Sequence, residues 1–265
     1  MKKVVSVWKP QGWTPLKAVK EFKNKNPDYV NEKISYAGRL DPMAEGVLLL
    51  LVGEENKKRK EYEGLQKSYE SEIVLGVSTD SFDALGIIYS VTLDKMSSRE
   101  QIGECLKGFI GKQDQSYPPY SSRTVDGKSL IWWTKNNRLS EIEMPKKEIE
   151  ISSISLESTE LIDASDLLKD VNSRIERVEG NFRQEEILKA WGEFEKKYKN
   201  EKFIKIKIKV SCSSGTYIRR LASNIGEDLG GGAFALSIIR TSVGKYFKKD
   251  CLTIWLPRED SNLEP

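Results

Sequence analysis

The chain has 265 residues, of which 38% are hydrophobic and 31% are charged, and 43 Lys and Arg against 40 Asp and Glu give a net charge of +3. This length suits one sizeable domain or two small ones, and the balance is typical of a soluble globular protein. The complete absence of histidine excludes Ser-His-Asp and Cys-His catalysis and every zinc site that needs imidazole.

Two further features limit the class of protein. No apolar stretch reaches the length of a membrane span, and the first nine residues lack the apolar core of a signal peptide. Cys105, Cys212 and Cys251 are isolated and odd in number, which favours a reducing cytosol and forms no metal-binding motif. We therefore expect a cytoplasmic protein without a bound metal, whose chemistry depends on carboxylate, Lys, Tyr, Arg or Ser.

Strands and helices are mixed along the N-terminal half. A helix is predicted to begin at Thr14-Pro15, because Thr caps helices and Pro favours their first position. A solvated helix is predicted in the charge-rich stretch 54–66, and an amphipathic helix at 97–109. Strands are predicted at 4–8, 47–52, 69–76 and 86–91. The turn at 78–83 could bring Asp80 and Asp83 together as paired carboxylates, but it is interpreted as structural.

The C-terminal half begins with the proline-rich stretch 115–123, which indicates either a stiff loop that contacts a partner or a structural turn. Two runs of apolar residues at helical spacing, separated by Gly180-Asn181, predict a helical hairpin over 163–200. The remaining predictions are strands at 148–156, 204–210 and 235–246, a helix at 217–229 and a disordered tail at 257–265.

The absence of regular βαβ alternation predicts an α+β fold with a large mixed, mainly antiparallel sheet flanked by helices and carrying the inserted hairpin. We expect one domain over 1–250, with the insertion at about 160–200, and a C-terminal tail over 251–265.

Two short runs contain the candidate site residues. The first extends from Gly38 to Gly46 and places Asp41 before a proline, which disfavours helical backbone at Asp41. Taken alone, this residue also fits an ordinary turn aspartate. The second run, from Cys212 to Arg219, ends a strand at Gly215 and places Arg219 in the first turn of the following helix.

These runs resemble the TruB-type pseudouridine synthases, which isomerise one uridine, at position 55, in the T-loop of transfer RNA. The resemblance covers nearly all of residues 2–247, and the matching motifs occur in the family's order. They are Lys9-Pro10-Gln11-Gly12, Gly38-Arg39-Leu40-Asp41-Pro42, Lys67-Ser68-Tyr69, Leu75-Gly76 with Thr79, Asp80, Asp83 and Gly86, Tyr117-Pro118-Pro119-Tyr120-Ser121, Cys212 to Arg219, Leu229-Gly230 and Arg240-Thr241.

The resemblance implies a role for each candidate residue. Asp41 is expected to be the catalytic carboxylate, Arg219 to pair with it, and Tyr69 to stack on the flipped base. Lys9 is expected near the floor of the active site, as a structural or phosphate-directed residue. Candidate RNA-binding residues are Tyr36, Arg39, Tyr120 and Arg123, and candidate phosphate contacts are Lys57, Lys58, Arg59, Arg123, Lys128 and Lys135.

The reaction itself moves a uracil from N1 to C5 attachment on one ribose, so the resemblance implies no cofactor and no metal. The implied partner is tRNA, through its T-loop and T-stem, bound by a chain expected to be a monomer with no membrane association. Two alternatives remain open at this point: a non-catalytic tRNA-binding or folding-assistance protein, and a family member directed to ribosomal RNA.

This chain also departs from the family's pattern. Tyr36 stands where bacterial tRNA enzymes usually carry a histidine that helps open the T-loop, and Arg39 replaces a small residue. The domain over 1–250 is expected to be the catalytic domain, and the tail over 251–265 is expected to lack the small RNA-binding domain that the family usually appends at its C-terminus. The helical hairpin is longer than the usual connection between its flanking strands. It is predicted to brace the sheet or to contact RNA, and its mixed acidic and basic faces favour bracing.

Overall fold

The computed structural model describes residues 2–93 and 97–254, so the tail predicted at 257–265 lies outside the described residues. The helices are α1 (Pro15–Lys25), α2 (Arg59–Glu63), α3 (Arg99–Gly108), α4 (Leu130–Lys135), α5 (Ala164–Glu176), α6 (Gln184–Tyr198) and α7 (Ile218–Asp228). The strands are β1 (Val4–Lys9), β2 (Ile34–Ala37), β3 (Ala44–Val52), β4 (Lys67–Leu75), β5 (Val77–Thr79), β6 (Ile88–Val91), β7 (Gly111–Ser116), β8 (Thr124–Val125), β9 (Lys128–Ser129), β10 (Lys146–Asp163), β11 (Lys202–Cys212), β12 (Ala233–Val243), β13 (Tyr246–Phe247) and β14 (Leu252–Thr253).

Within the described ranges, one sheet dominates the molecule and confirms the predicted α+β class. Its strand order is β14-β1-β3-β12-β4-β11-β10-β7, with β2 added to β3 and β13 added to β12. Most neighbours are antiparallel, whereas β12 runs parallel to β3 and β14 runs parallel to β1. The pairing of β12 with both β3 and β4 joins the two ends of the chain at the centre of the sheet.

Both faces of this sheet are covered. Adjacent residues of β4 point to opposite sides: Ile73 belongs to the apolar cluster formed with α3 and α7, and Val74 to the cluster formed with α5 and α6. The predicted hairpin is therefore confirmed as a helical pair packed on the sheet. Trp191 and Phe194 of α6 are buried in the cluster that contains Val74.

The sequence-based helix at 54–66 is wrong in its extent. Gly53–Lys58 forms a 3₁₀ helix and only Arg59–Glu63 is α-helical. This stretch has too few apolar residues to hold a long helix against the protein, since Tyr62 and Leu65 provide its packing against the apolar cluster of β3. In the same region, α2 places the guanidinium carbon of Arg59 at 5.5 Å from the centre of the Tyr36 ring on β2.

Strand β3 approaches the backbone of β12 unusually closely at Gly46. This residue has φ +124°, and a Cβ atom added to it would lie 2.2 Å from the carbonyl oxygen of Arg240. Any side chain here would push the two strands apart. The motif glycine therefore allows the Asp41 loop to sit directly against the strand that carries Arg240.

Candidate active site

Asp41 lies between β2 and β3, outside regular secondary structure and ahead of a turn, as its position before Pro42 predicts. The amide of Ala44 donates a hydrogen bond to the Asp41 carbonyl oxygen at 3.1 Å, and the amide of Gly12 donates to the Pro42 carbonyl oxygen at 2.7 Å. The loop backbone is fixed by these bonds, while the Asp41 side chain remains 40% exposed. The carboxylate is thus held in place yet open to a ligand.

Arg219 meets Asp41 across 178 residues of sequence. Its Nε donates to the Asp41 Oδ2 at 2.8 Å, whereas Nη1 donates to the Ser81 carbonyl oxygen at 3.1 Å and Nη2 to the Tyr120 carbonyl oxygen at 2.9 Å. The guanidinium therefore contacts the carboxylate through one nitrogen, and its other two nitrogens are fixed by loop carbonyls. Burial opposes its charge, but the carboxylates of Asp41 and Asp83 outweigh this effect and raise the pKa of Arg219.

The turn that delivers Arg219 depends on Gly215. Its φ of +84° is in the left-handed region, and an added Cβ would lie 2.0 Å from the Nζ atom of Lys147. That Nζ donates to the Ser214 carbonyl oxygen at 2.7 Å. Lys147 therefore holds the turn at the start of α7, a function that the sequence did not indicate.

Arg240 supports the Asp41 loop through hydrogen bonds to backbone carbonyl groups. Its guanidinium donates to the carbonyl oxygens of Val47 at 2.7 Å, Arg39 at 3.0 Å and Gly38 at 3.3 Å, and the residue is only 1% exposed. Sequence reasoning placed Arg240 in a family motif but not in the site. A charged residue within the mostly apolar strand predicted at 235–246 was the available signal, because such a group needs polar partners when it is buried.

Tyr69 lies on β4, between Arg240 of β12 and Val210 of β11. It is buried and lines the same cleft as Asp41. Burial raises the pKa of its phenol to about 12, so the hydroxyl keeps its proton at neutral pH. An uncharged aromatic ring at this position can stack on a base.

Lys9 is fully buried and is not among the residues that line the cleft. Its Nζ donates to the carbonyl oxygens of Pro10 at 3.0 Å, Trp13 at 2.6 Å and Ala44 at 2.6 Å. Burial lowers the pKa of Lys9 to about 7, against the opposite effect of Asp41. These contacts favour the structural alternative for Lys9 over the phosphate-directed one.

The cleft has a volume of about 930 Å³, within the range of pockets that enclose small ligands. Cationic residues outnumber anionic ones around it, which favours an anionic ligand such as an RNA backbone. The anionic residues are Asp41, Glu63 and Asp83. The cationic residues are Arg39, Arg59, Lys60, Lys67, Lys135, Lys147, Arg183, Arg219 and Arg240.

The candidate RNA-binding residues divide into two groups. Tyr36, Arg39 and Tyr120 line the cleft, together with the candidate phosphate contacts Arg59 and Lys135. The residues that do not line it are Lys57, Lys58, Arg123 and Lys128. Arg123 is exposed and its guanidinium lies 5.4 Å from the ring of Tyr117, so it belongs to the outer surface of the proline-rich loop.

Asp83 was interpreted in the sequence as part of a structural turn, yet it also lines the cleft. Its Oδ1 accepts hydrogen bonds from Ser81 Oγ at 2.6 Å and from the Leu85 amide at 3.0 Å. Burial raises its pKa from 3.8 to about 6, although the charge of Arg219 acts in the opposite direction. Asp83 is therefore both a turn residue and a titratable group beside the Asp41–Arg219 pair.

This raised pKa predicts a specific pH dependence of stability. The folded protein binds more protons at Asp83 than the unfolded chain between pH 3.8 and about 6, so this stabilisation is complete below that window and is lost as the pH rises through it. Asparagine does not titrate, so Asp83→Asn lacks this dependence. As the pH rises from 4.5 to 7, the free energy of unfolding of the wild type should fall by about 2 kcal/mol relative to that of Asp83→Asn. Urea unfolding of both proteins measures this difference, and parallel pH curves would contradict it.

The tip of the helical hairpin reaches the cleft, where Asn181, Phe182 and Arg183 form part of its wall. The Glu179 amide donates to the Gly12 carbonyl oxygen at 3.1 Å, and Gln11 Nε2 donates to the Arg174 carbonyl oxygen at 2.8 Å. The hairpin thus braces the Lys9–Gly12 turn as well as the sheet. The hairpin therefore braces the sheet and also contributes to the wall of the cleft.

None of the helices in residues 2–93 and 97–254 is both long and apolar enough to span a bilayer. The same ranges contain no group of three or more Cys, Asp or Glu side chains arranged to hold a metal ion.

Two solved structures have a similar fold. A structure of a Cbf5–Nop10–Gar1 complex matches with a TM-score of 0.58 at 18% identity, covering 94% of this chain and 51% of that chain. A structure of an H/ACA RNP bound to a substrate RNA containing 2′-deoxyuridine matches with a TM-score of 0.55, also at 18% identity, over 95% of this chain and 50% of that chain. The chain thus spans about half the length of these structures, and at this identity the likeness concerns the fold.

Curated relatives are closer in sequence. The tRNA pseudouridine synthase B of Bacteroides thetaiotaomicron is 31% identical over 95% of this chain and 92% of its own length, and that of Phocaeicola vulgatus is 30% identical over the same shares. Residues 28–180, which include Asp41 and Tyr69, match the model of the TruB family pseudouridylate synthase N-terminal domain. Since that match covers more than half of the chain and full-length relatives agree with it, the chain belongs to the TruB family of pseudouridylate synthases.

Proposed function

We propose that this TruB-family protein isomerises a uridine in the T-loop of tRNA, at position 55, to pseudouridine. The observation that carries the proposal is the contact between Asp41 and Arg219 at 2.8 Å, inside a cleft whose charged lining residues are mainly cationic. The curated relatives that match along nearly the whole chain carry the name tRNA pseudouridine synthase B. Their name supports tRNA as the substrate.

The chemistry needs few groups, and the cleft offers them. The bond between ribose C1′ and uracil N1 breaks, the uracil rotates, C5 joins C1′, and the proton on C5 leaves while N1 gains one. Nothing is oxidised and no group is donated from outside. Asp41 is the exposed carboxylate beside the reacting ribose, where it attacks the sugar, attacks the base or removes a sugar proton; the geometry is compatible with each of these roles.

The surroundings of Asp41 suit these roles. Arg219 orients the carboxylate through a charge-assisted hydrogen bond at 2.8 Å, because a guanidinium retains its charge when buried. Tyr69 stacks on the everted uracil and replaces the stacking that the base loses on leaving the helix. The cationic rim binds the phosphates on either side, with Tyr36 and Arg39 near the displaced bases.

The other two hypotheses receive less support. A non-catalytic tRNA-binding protein has no need of an exposed carboxylate fixed against a buried guanidinium. An enzyme directed to ribosomal RNA is not favoured by relatives that are named for tRNA. Action as a monomer in the cytoplasm, where tRNA is processed, completes the proposal.

Release of tritium from tRNA labelled at C5 of uridine tests the proposal directly, because C5 loses its hydrogen when it bonds to C1′. We expect about one equivalent released per unmodified tRNA, and none from a tRNA in which the T-loop uridine is replaced by cytidine. Binding without release would support the non-catalytic alternative. Release from ribosomal RNA fragments but not from tRNA would support the rRNA-directed one.

Tyr69 substitutions separate stacking from proton transfer. We expect Tyr69→Phe to retain most of the single-turnover rate, because its ring still stacks, and Tyr69→Leu to lose about tenfold or more, since stacking on one base contributes about 1–3 kcal/mol. The measurement is the rate of tritium release at saturating enzyme. Equal losses in the two variants would instead assign the role to the phenol hydroxyl.

A further inference from the structure

The tip of the helical hairpin carries an arginine whose contacts the proposed reaction does not explain. Arg183 immediately precedes α6 and has φ +65°, a left-handed conformation that is uncommon for a residue with a side chain. Backbone strain of this kind persists where the surrounding contacts enforce it. Its amide donates to Asn181 Oδ1 at 3.4 Å within the hairpin, whereas its guanidinium makes its contacts across the cleft wall.

Arg183 pairs with Asp80, 103 residues earlier in the chain. Its Nη1 donates to Oδ2 of Asp80 at 2.9 Å, and its Nη2 donates to Oδ1 at 3.3 Å. The two side chains are 23% and 30% exposed, so this bidentate ion pair is largely shielded from water. It ties the inserted hairpin to the turn that follows β5.

Tyr120 completes this cluster. The Arg183 guanidinium lies 4.5 Å from the centre of the Tyr120 ring, and the Tyr120 hydroxyl donates to Asp80 Oδ2 at 3.1 Å. A cation over an aromatic face and a hydrogen bond to the same carboxylate fix the tyrosine from two directions. One arginine thus holds two separate loops, the Asp80 turn and the proline-rich loop.

These same two loops hold Arg219. Its Nη2 bonds the carbonyl oxygen of Tyr120, and its Nη1 bonds the carbonyl oxygen of Ser81, which directly follows Asp80. The remaining nitrogen, Nε, bonds Asp41. A shift of either loop would therefore rotate the guanidinium that orients the carboxylate.

We propose that Arg183 is a positioning residue for the isomerisation: it clamps the two loops whose carbonyl oxygens orient Arg219 beside Asp41. This inference rests on the proposed function, because it concerns the rate of that reaction. It assigns to the inserted hairpin a share in building the active site, in addition to bracing the sheet. Arg183 acts through Asp80, Tyr120 and Arg219, and it does not itself contact the reacting atoms.

The test compares Arg183→Gln with the wild type in single-turnover tritium release at saturating enzyme. We expect the rate to fall about tenfold, as for other residues that act on a site through intervening contacts. The dissociation constant for tRNA, measured in proteins that also carry Asp41→Asn so that no turnover occurs, should change less than about twofold. A merely structural role would lower the melting temperature without this separation of rate from affinity.

Arg177→Gln is the matched control. This arginine lies in the same inter-helix segment, is exposed, does not line the cleft and donates to Ser173 Oγ at 3.2 Å. It should react at the wild-type rate. A wild-type rate for Arg183→Gln, or weaker tRNA binding with an unchanged rate at saturation, would overturn the inference while leaving the proposed function intact; an inactive wild type would instead refute the proposed function.

A double-mutant cycle locates the effect. In an Asp80→Asn background the loss caused by Arg183→Gln should shrink, because the pair is already broken, and additive losses would overturn the inference. Tyr120→Phe provides a second, gentler probe that retains the ring and the carbonyl oxygen. It should slow the reaction about threefold, and this variant decides the question if Arg183→Gln fails to fold.

Discussion

Asp41→Asn is expected to abolish tritium release from labelled tRNA while leaving the dissociation constant for tRNA within about tenfold of the wild type. Asparagine has the same shape and keeps the loop, whose backbone bonds to Ala44 and Gly12 do not involve the side chain. What disappears is the negative charge that we propose to act on the transition state. Release assays and equilibrium binding on the same preparations measure the two effects.

Glu45→Gln is the matched control for Asp41→Asn, because it removes a carboxylate from the same segment outside the cleft lining. It should retain the wild-type rate. A loss of affinity as large as the loss of rate in Asp41→Asn would contradict the assignment, since it would mean that the carboxylate contributes to binding and not to the reaction.

Arg219→Lys is expected to have the second largest effect, lowering the single-turnover rate by about 10²–10³-fold. Lysine retains a positive charge but cannot reach Asp41, Ser81 and Tyr120 together from a single nitrogen, as the three guanidinium nitrogens do. The carboxylate would lose its fixed orientation, and one or both loop carbonyls would lose their donor. The rate of release at saturating enzyme measures the effect.

The neighbouring Arg220 provides the control for this substitution. It lies on the same turn of α7, pairs with Glu227 at 3.1 Å and does not line the cleft, so Arg220→Lys should leave the rate unchanged. Melting temperatures of both variants reveal any loss of folding. If Arg219→Lys reacted as fast as Arg220→Lys, charge alone would suffice and the fixed geometry would have no catalytic importance.

Much of the fold could be predicted from local pattern. Thr14 accepts a hydrogen bond from the Lys17 amide at 3.1 Å, as its position before Pro15 indicated. The helical hairpin was visible because its apolar residues recur at helical spacing on both sides of Gly180-Asn181. The α+β class followed from the order of these elements, and it is confirmed.

Short and polar elements could not be predicted in the same way. Strand β2 has four residues, and its pairing with Leu50 and Leu51 of β3, rather than its own pattern, makes it a strand. Strand β7 consists of the polar residues 111–116 and extends because β10 provides partners for its backbone. Strand β2 is too short for its alternation to be recognised, and β7 lacks the apolar alternation altogether.

The site was predicted only in part, for a similar reason. The family motifs named Asp41 and Arg219, yet no spacing rule gives a 2.8 Å contact between residues so far apart in sequence. Arg240, Lys147 and Arg183 were absent from the predicted site because their roles depend on carbonyl groups and side chains contributed by distant strands and loops. The catalytic and base-stacking roles of the motif residues stay predictions until the substitutions above are made.

The central place of β12 in the sheet has a consequence for synthesis of the protein. This strand lies between β3 and β4, although about 180 residues of chain separate it from β3 and about 160 from β4. Until β12 leaves the ribosome, the nascent chain exposes the edges of β3 and β4 and cannot close the centre of its sheet. Folding should therefore be completed late, through contacts of high sequence separation, and the unfinished chain depends on protection from aggregation until then.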